Sequence, residues 1–166
     1  EFNKEKIIEN LEKKDTLGKV NFDSVIISAF DETLKSITTS LIYTDVTPKK
    51  TYFITLNQWF DESLLNEDSS QNLYFPSINK KNFDEFKKEY FEKYSSEPNQ
   101  ISLLGFDLVG LIFYLSKVND FDLNNKVFDQ KNIFRGKIGL FEIEDKRIKH
   151  VLNFYKVENN KFKKIF

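Results

Sequence analysis

Two kinds of hydrophobic spacing alternate along the chain. Residues 4 to 15 set Ile7, Ile8 and Leu11 on one face with Lys and Glu opposite, the 3.6-residue period of an amphipathic helix that ends near Gly18. Phe22 to Ser28 (FDSVIIS) is a short β-branched run without alternation, which suits a strand covered on both faces in a parallel sheet. Asp31 stands at an N-cap position before Leu34, Ile37, Leu41 and Ile42 at helical spacing. After Pro48 the cycle repeats: Thr51 to Thr55 (TYFIT) reads as a second strand, and Asn57 to Asp61 as the loop before a short helix near Ser63 and Leu64. Two successive βα units imply a parallel sheet.

Asn72 to Ser77 (NLYFPS) is extended, because Pro76 pushes Phe75 out of the α region. From Lys80 to Tyr94, Phe83, Phe86, Tyr90, Phe91 and Tyr94 form an aromatic stripe at helical spacing, the expected core face of a helix. Ser95 to Gln100 is a loop. Ile101 to Val118 is apolar almost all round but carries Asp107 at its centre, where insertion into a bilayer costs about 2.5–3.5 kcal/mol, so a buried helix is expected. The tail changes character: Lys137 to Ile143, Ile148 to Val157 and Phe162 to Ile165 alternate and are split by polar turns, an antiparallel meander.

Composition narrows the function classes. Twenty-five basic and 26 acidic residues give a net charge of -1, with no basic patch of the kind that nucleic acid or anionic lipid requires. Cysteine is absent, which removes disulfides, thiolate chemistry and thiolate-bound metal. The first residue is Glu1 rather than Met, and a segment upstream of it is expected.

Enzyme templates find little purchase. There is no G-x-S-x-G elbow, no H-E-x-x-H and no phosphate-cradling loop among five glycines. His150 is the sole histidine, in a strand-like segment, which points to sheet packing rather than to metal or general-base work; neither a metal nor a cofactor is expected. The pairs Asp31 with Glu32 and Asp61 with Glu62 each fall at a helix start, where carboxylates meet free N–H groups and the positive end of the dipole.

That position is informative in its own right. In open α/β sheets ligands gather beyond the carboxyl ends of the strands. The turns after the two strands would bring Phe30, Asp31, Asn57, Gln58 and Trp59 to one rim as a ligand-binding set. Trp59, the single tryptophan, suits an apolar wall of such a site or, equally, a cap on the adjacent core.

Four segments in order carry a family resemblance. FDSVIISAFDETLKSITTSL and KKTYFITLNQWFDESL resemble the strand, helix, strand and ligand loop of the type I periplasmic solute-binding proteins, in particular the leucine/isoleucine/valine-binding receptors. FDEFKKEYFEKYSSEPNQISLLGFDLVGLIFYL is similar to that family's aromatic helix, Pro loop and aromatic-Asp helix, here Phe106-Asp107. FRGKIGLFEIEDKRIKHVLNFYKVENNKFKKI is similar to its closing G-x-x-G stretch, Y-x-V and N-x-x-F.

The resemblance spans nearly the whole chain and implies a three-layer αβα parallel sheet closed by an antiparallel meander, as part of a two-lobed, non-enzymatic protein. Residues 1–76 and 137–166 would belong to one lobe and 77–136 to the other, with the missing N-terminal half of the same protein as partner. It implies a periplasmic receptor that closes on a small-molecule ligand and feeds an ABC-type membrane permease. Phe30 falls where the family places an aromatic residue, but Asn57 stands where it usually places an acid for the ligand's ammonium group. The activators of peptidoglycan synthases (penicillin-binding-protein activators), outer-membrane lipoproteins with a degenerate cleft that work by protein contact, are similar too.

Overall fold

The computed structural model describes residues 20–44, 46–56, 59–122, 125–129 and 131–166. The helix expected over residues 4 to 15 lies outside them. The chain divides into two compact units, residues 1–76 with 154–166, and residues 77–153.

Unit 1 is built on a five-stranded sheet ordered β1-β2-β3-β7-β8. Strand β1 (Ser24–Ile27), helix α1 (Asp31–Tyr43), β2 (Tyr52–Thr55) and β3 (Leu73–Ser77) follow in sequence. β1 pairs in parallel with β2, and β2 with β3, as the two βα units imply, but β1, expected to be covered on both faces, is covered on one among the described residues. Ile27, Phe53, Leu73, Phe75 and Val157 are buried in this sheet, and α1 buries Leu34 and Thr38. The face that carries Ile26 and Tyr52 is open: Ile26 is 73% and Tyr52 58% exposed. Two short 3-10 turns, Glu62–Asn66 and Asp68–Ser70, replace the helix expected near Leu64. The second of them is stitched to α1 through Ser69, whose hydroxyl lies 3.3 Å from that of Thr38 and 3.1 Å from that of Thr39.

Unit 2 contains two long helices, α2 (Lys80–Tyr94) and α3 (Gln100–Val118). Each starts on an asparagine: Asn79 accepts from the Asn82 amide at 3.1 Å and Asn99 from the Ser102 amide at 2.8 Å. Strands β4 (Asn132–Arg135), β5 (Leu140–Glu144) and β6 (Arg147–Val151) form a separate antiparallel sheet. Leu111 and Leu115 of α3 pack with Val127 and Ile143, flanked by Tyr114, Phe128 and Phe134.

The tail departs from a single meander. The segment expected as one strand over 148–157 is two, β6 and β7 (Asn153–Glu158), interrupted at Leu152. β7 and β8 (Lys161–Lys164) form a hairpin within the parallel sheet of unit 1. β5 pairs on one side with β4, a strand that the periodicity did not reveal, and on the other with β6, and residues 137–153 fall in unit 2. Core selection explains the split: Ile143 is buried against α3, whereas Tyr155 and Val157 are buried in unit 1.

The helices also depart from expectation. Phe86 is the one residue of α2 that is fully buried, while Phe91 and Tyr94 of the aromatic stripe are more than half exposed. α3 is long and apolar enough to cross a membrane by length and composition, yet only 22% of its Ile101–Val118 stretch is buried. One face, with Leu103, Asp107, Leu111 and Leu115, is inside; Ile101, Phe106, Val109 and Phe113 are outside. A helix apolar all round needs neighbours on every side, and the described residues of unit 2 supply them on one.

Candidate ligand-binding edge

The parallel register of β1 and β2 places the candidate site. Ile27 stands opposite Thr55, so the two strands end together and their following turns leave from the same edge of the sheet. Buried Ile27, Ala29 and Thr55 form the floor beneath that edge. Phe30, at 45% exposure, and Leu56, at 42%, follow the strand ends and are exposed. Leu56 was not singled out by sequence reasoning; its place directly after the second strand is the signal that would have found it.

Phe30 is the residue before the first turn of α1, in extended conformation, and its carbonyl accepts the Leu34 amide at 3.2 Å. The expected N-cap role of Asp31 is thereby corrected. Asp31 is the first residue of the helix, at φ 51, and the cap position makes no side-chain hydrogen bond. A residue inside the first turn cannot reach forward to the amides that a cap satisfies. Asp31 and Glu32 instead place negative charge at the positive end of the helix dipole. Asp61 does act as a cap, accepting from the Ser63 amide at 2.9 Å.

Trp59 and Phe60 take successive left-handed conformations, φ 48 and 59. That reversal sends the two rings to different environments. Phe60 is buried, edge-on to Tyr155 at 4.9 Å, Phe162 at 5.4 Å and Phe75 at 6.0 Å. Phe60 thus takes a place in the core, while Trp59 is partly exposed. Asn57 and Gln58 lie outside the described residues.

Charge at the edge is mixed. Lys35, one turn into α1, donates to Glu32 at 2.7 Å, and this bond, with the fields of Glu32, Asp61 and Glu67, raises its ammonium above the ordinary lysine value despite some desolvation. The α1 terminus and the Asp61 turn thus share one electrostatic neighbourhood. Among the described residues, no three His, Asp or Glu side chains converge to hold a metal ion.

In open α/β sheets the strand-end edge is where ligands gather, and here it carries Phe30 and Trp59, both partly exposed, with a few charges. Comparison with solved structures places the fold more closely. The chain is similar to an extracellular ligand binding receptor from Desulfohalobium retbaense, with a TM-score of 0.61 and 14% identity over 99% of this chain. At that identity the likeness is one of fold: a mixed α/β periplasmic-binding-receptor architecture with a parallel-containing sheet. The chain spans 29% of that protein's length. No family model matches the sequence, and no curated protein matches it.

Proposed function

We propose that this chain is part of a periplasmic receptor that grips a small polar or amino-acid-like solute between two lobes and passes it to an ABC-type permease. The observation that supports the reading is the parallel Ile27–Thr55 register, from which the Phe30 turn and the Trp59 loop would leave at one edge. Phe30, Asp31, Asn57, Gln58 and Trp59 would line one half of the cleft, with Leu56 beside them. The other half would come from the rest of the protein. Function would follow from hinge closure, ligand shifting an open-to-closed population without any chemical step.

A second reading, contact activation of a peptidoglycan synthase, is favoured by Asn57, because an amide supplies no charge to a ligand's ammonium group. One titration separates the two. The full-length protein is mixed with amino acids and small carboxylates while Trp59 emission and melting temperature are followed. A receptor gains about 2.7 kcal/mol at a hundredfold excess of ligand over Kd. Silence across the whole panel overturns the receptor reading in favour of the activator.

A further inference from the structure

Unit 2 holds a constellation for which ligand gripping in unit 1 has no use. Asp107, at the centre of α3, is 3% exposed, and its carboxylate accepts from the amides of Lys137 at 2.7 Å and Ile138 at 3.0 Å. Those amides belong to a tight turn closed by the Gly136 N–H donating to the Gly139 carbonyl at 2.8 Å. Both glycines are required by close approach. A Cβ on Gly136 would collide with the Asp107 carboxylate, and one on Gly139 with Nε2 of His150.

His150 reaches the turn from β6. Its ring stacks on Phe141, its register partner on β5, with centroids 4.3 Å apart and planes 14° from parallel. Nε2 is buried and has no hydrogen-bond partner among the described residues. Burial pushes the imidazole below the ordinary histidine value of 6.5, and the Asp107 carboxylate partly opposes that push.

Other charges nearby are committed or turned away. Lys137 donates to Glu89 of α2 at 2.7 Å. Arg147 and Lys149 alternate to the far side of β6 from His150, as do their register partners Glu144 and Glu142 on β5. Among the described residues, Asp107 is the carboxylate whose field reaches the imidazole.

We infer that Asp107 and His150 form an acid-operated latch on the Gly136–Gly139 turn. Taking up a proton from solvent turns the imidazole into a buried cation beside Gly139, which is costly unless it is paired. The Asp107 carboxylate is the partner at hand. Engaging it draws it off the Lys137 and Ile138 amides, and the turn comes away from α3. The stability that the latch confers is therefore complete above 6.5 and is lost as pH falls through the lower folded-state value.

Because His150 is the sole histidine, one imidazole signal reports the switch in the whole chain. Nuclear magnetic resonance is used to follow that signal together with the Lys137 and Ile138 amides from about pH 7.5 to about pH 4.5. The latch requires the imidazole to titrate below 6.5 and both amides to lose about tenfold in protection, measured against the intrinsic base-catalysed exchange rate at each pH, along the same curve. His150→Phe keeps a ring on Phe141 but takes no proton, so its amides should stay protected across the pH range in which the wild-type imidazole titrates. Amides that hold while the wild-type imidazole titrates sink the inference, as does release at the same pH in His150→Phe. Should that variant fail to fold, coincidence or separation of the two wild-type curves decides the matter alone.

Discussion

The two units treat apolar residues differently. Unit 1 closes a ring cluster, Phe60, Phe75, Tyr155 and Phe162, in which Phe75 is fully buried between strands β2, β7 and the turns around them. Unit 2 has the more apolar sequence in α3 and leaves most of it in water. Hydrophobicity therefore measures what a segment needs covered, and topology decides whether a cover is present. In unit 1 sequential strands supply it for one face of the sheet. In unit 2 a three-stranded sheet supplies it for one side of α3.

Stability measurements probe this contrast directly. Phe75→Ala should cost about 3–5 kcal/mol in urea unfolding, the usual range for emptying a large buried site. Phe113→Ala, on the exposed side of α3, should change stability by no more than about 0.5 kcal/mol. Equal losses from the two would mean that α3 is covered in solution and would erase the comparison.

Asp107→Ala tests the polar anchor of unit 2. It should cost about 1–3 kcal/mol in all, since the Ile138 amide is left buried without an acceptor while water replaces part of the Lys137 bond. Asp61→Ala should lower stability by about 0.5–2 kcal/mol through the lost cap. Asp31→Ala removes only a favourable charge at the helix start and should cost no more than about 0.3–1 kcal/mol. Thermal melts of the two variants side by side rank them, and a larger loss at Asp31 would restore it as the cap.

The smallest effect belongs to Glu158 of unit 1. Hydrogen bonds from Lys156 and Lys163, both at 2.7 Å, pull its carboxyl down to about 2 from 4.5. Its contribution is present above 4.5 and is lost as pH falls through about 2. Glu158→Gln should flatten the acid end of the stability profile slightly, and an unchanged profile would show that solvent screens the pairs completely.

Much of the fold was legible because local rules are short-ranged. The aromatic helix falls at Lys80–Tyr94 as its spacing predicts, and the two buried strands fall within a residue or two of FDSVIIS and TYFIT. The candidate site was legible in part. Parallel pairing follows from βα repetition, so the common end of β1 and β2, after which Phe30 and Trp59 lie in sequence, could be anticipated. The division of labour between Trp59 and Phe60 could not, because a half-turn of left-handed backbone exchanges which ring faces the core. The place of Asp31 was misread for a similar reason: a cap and a first-turn residue differ by one position.

Periodicity, caps and turn residues by themselves determined the helices at Asp31–Tyr43, Lys80–Tyr94 and Gln100–Val118 and the first two parallel strands, since each depends on neighbours within a few residues. Only the tertiary structure decided that β6 and β7, adjacent in sequence, serve different sheets, and that Asp107 spans 30 positions to hold a glycine turn. Those outcomes depend on which buried face competes best for a side chain, and that competition takes place in space, not along the chain.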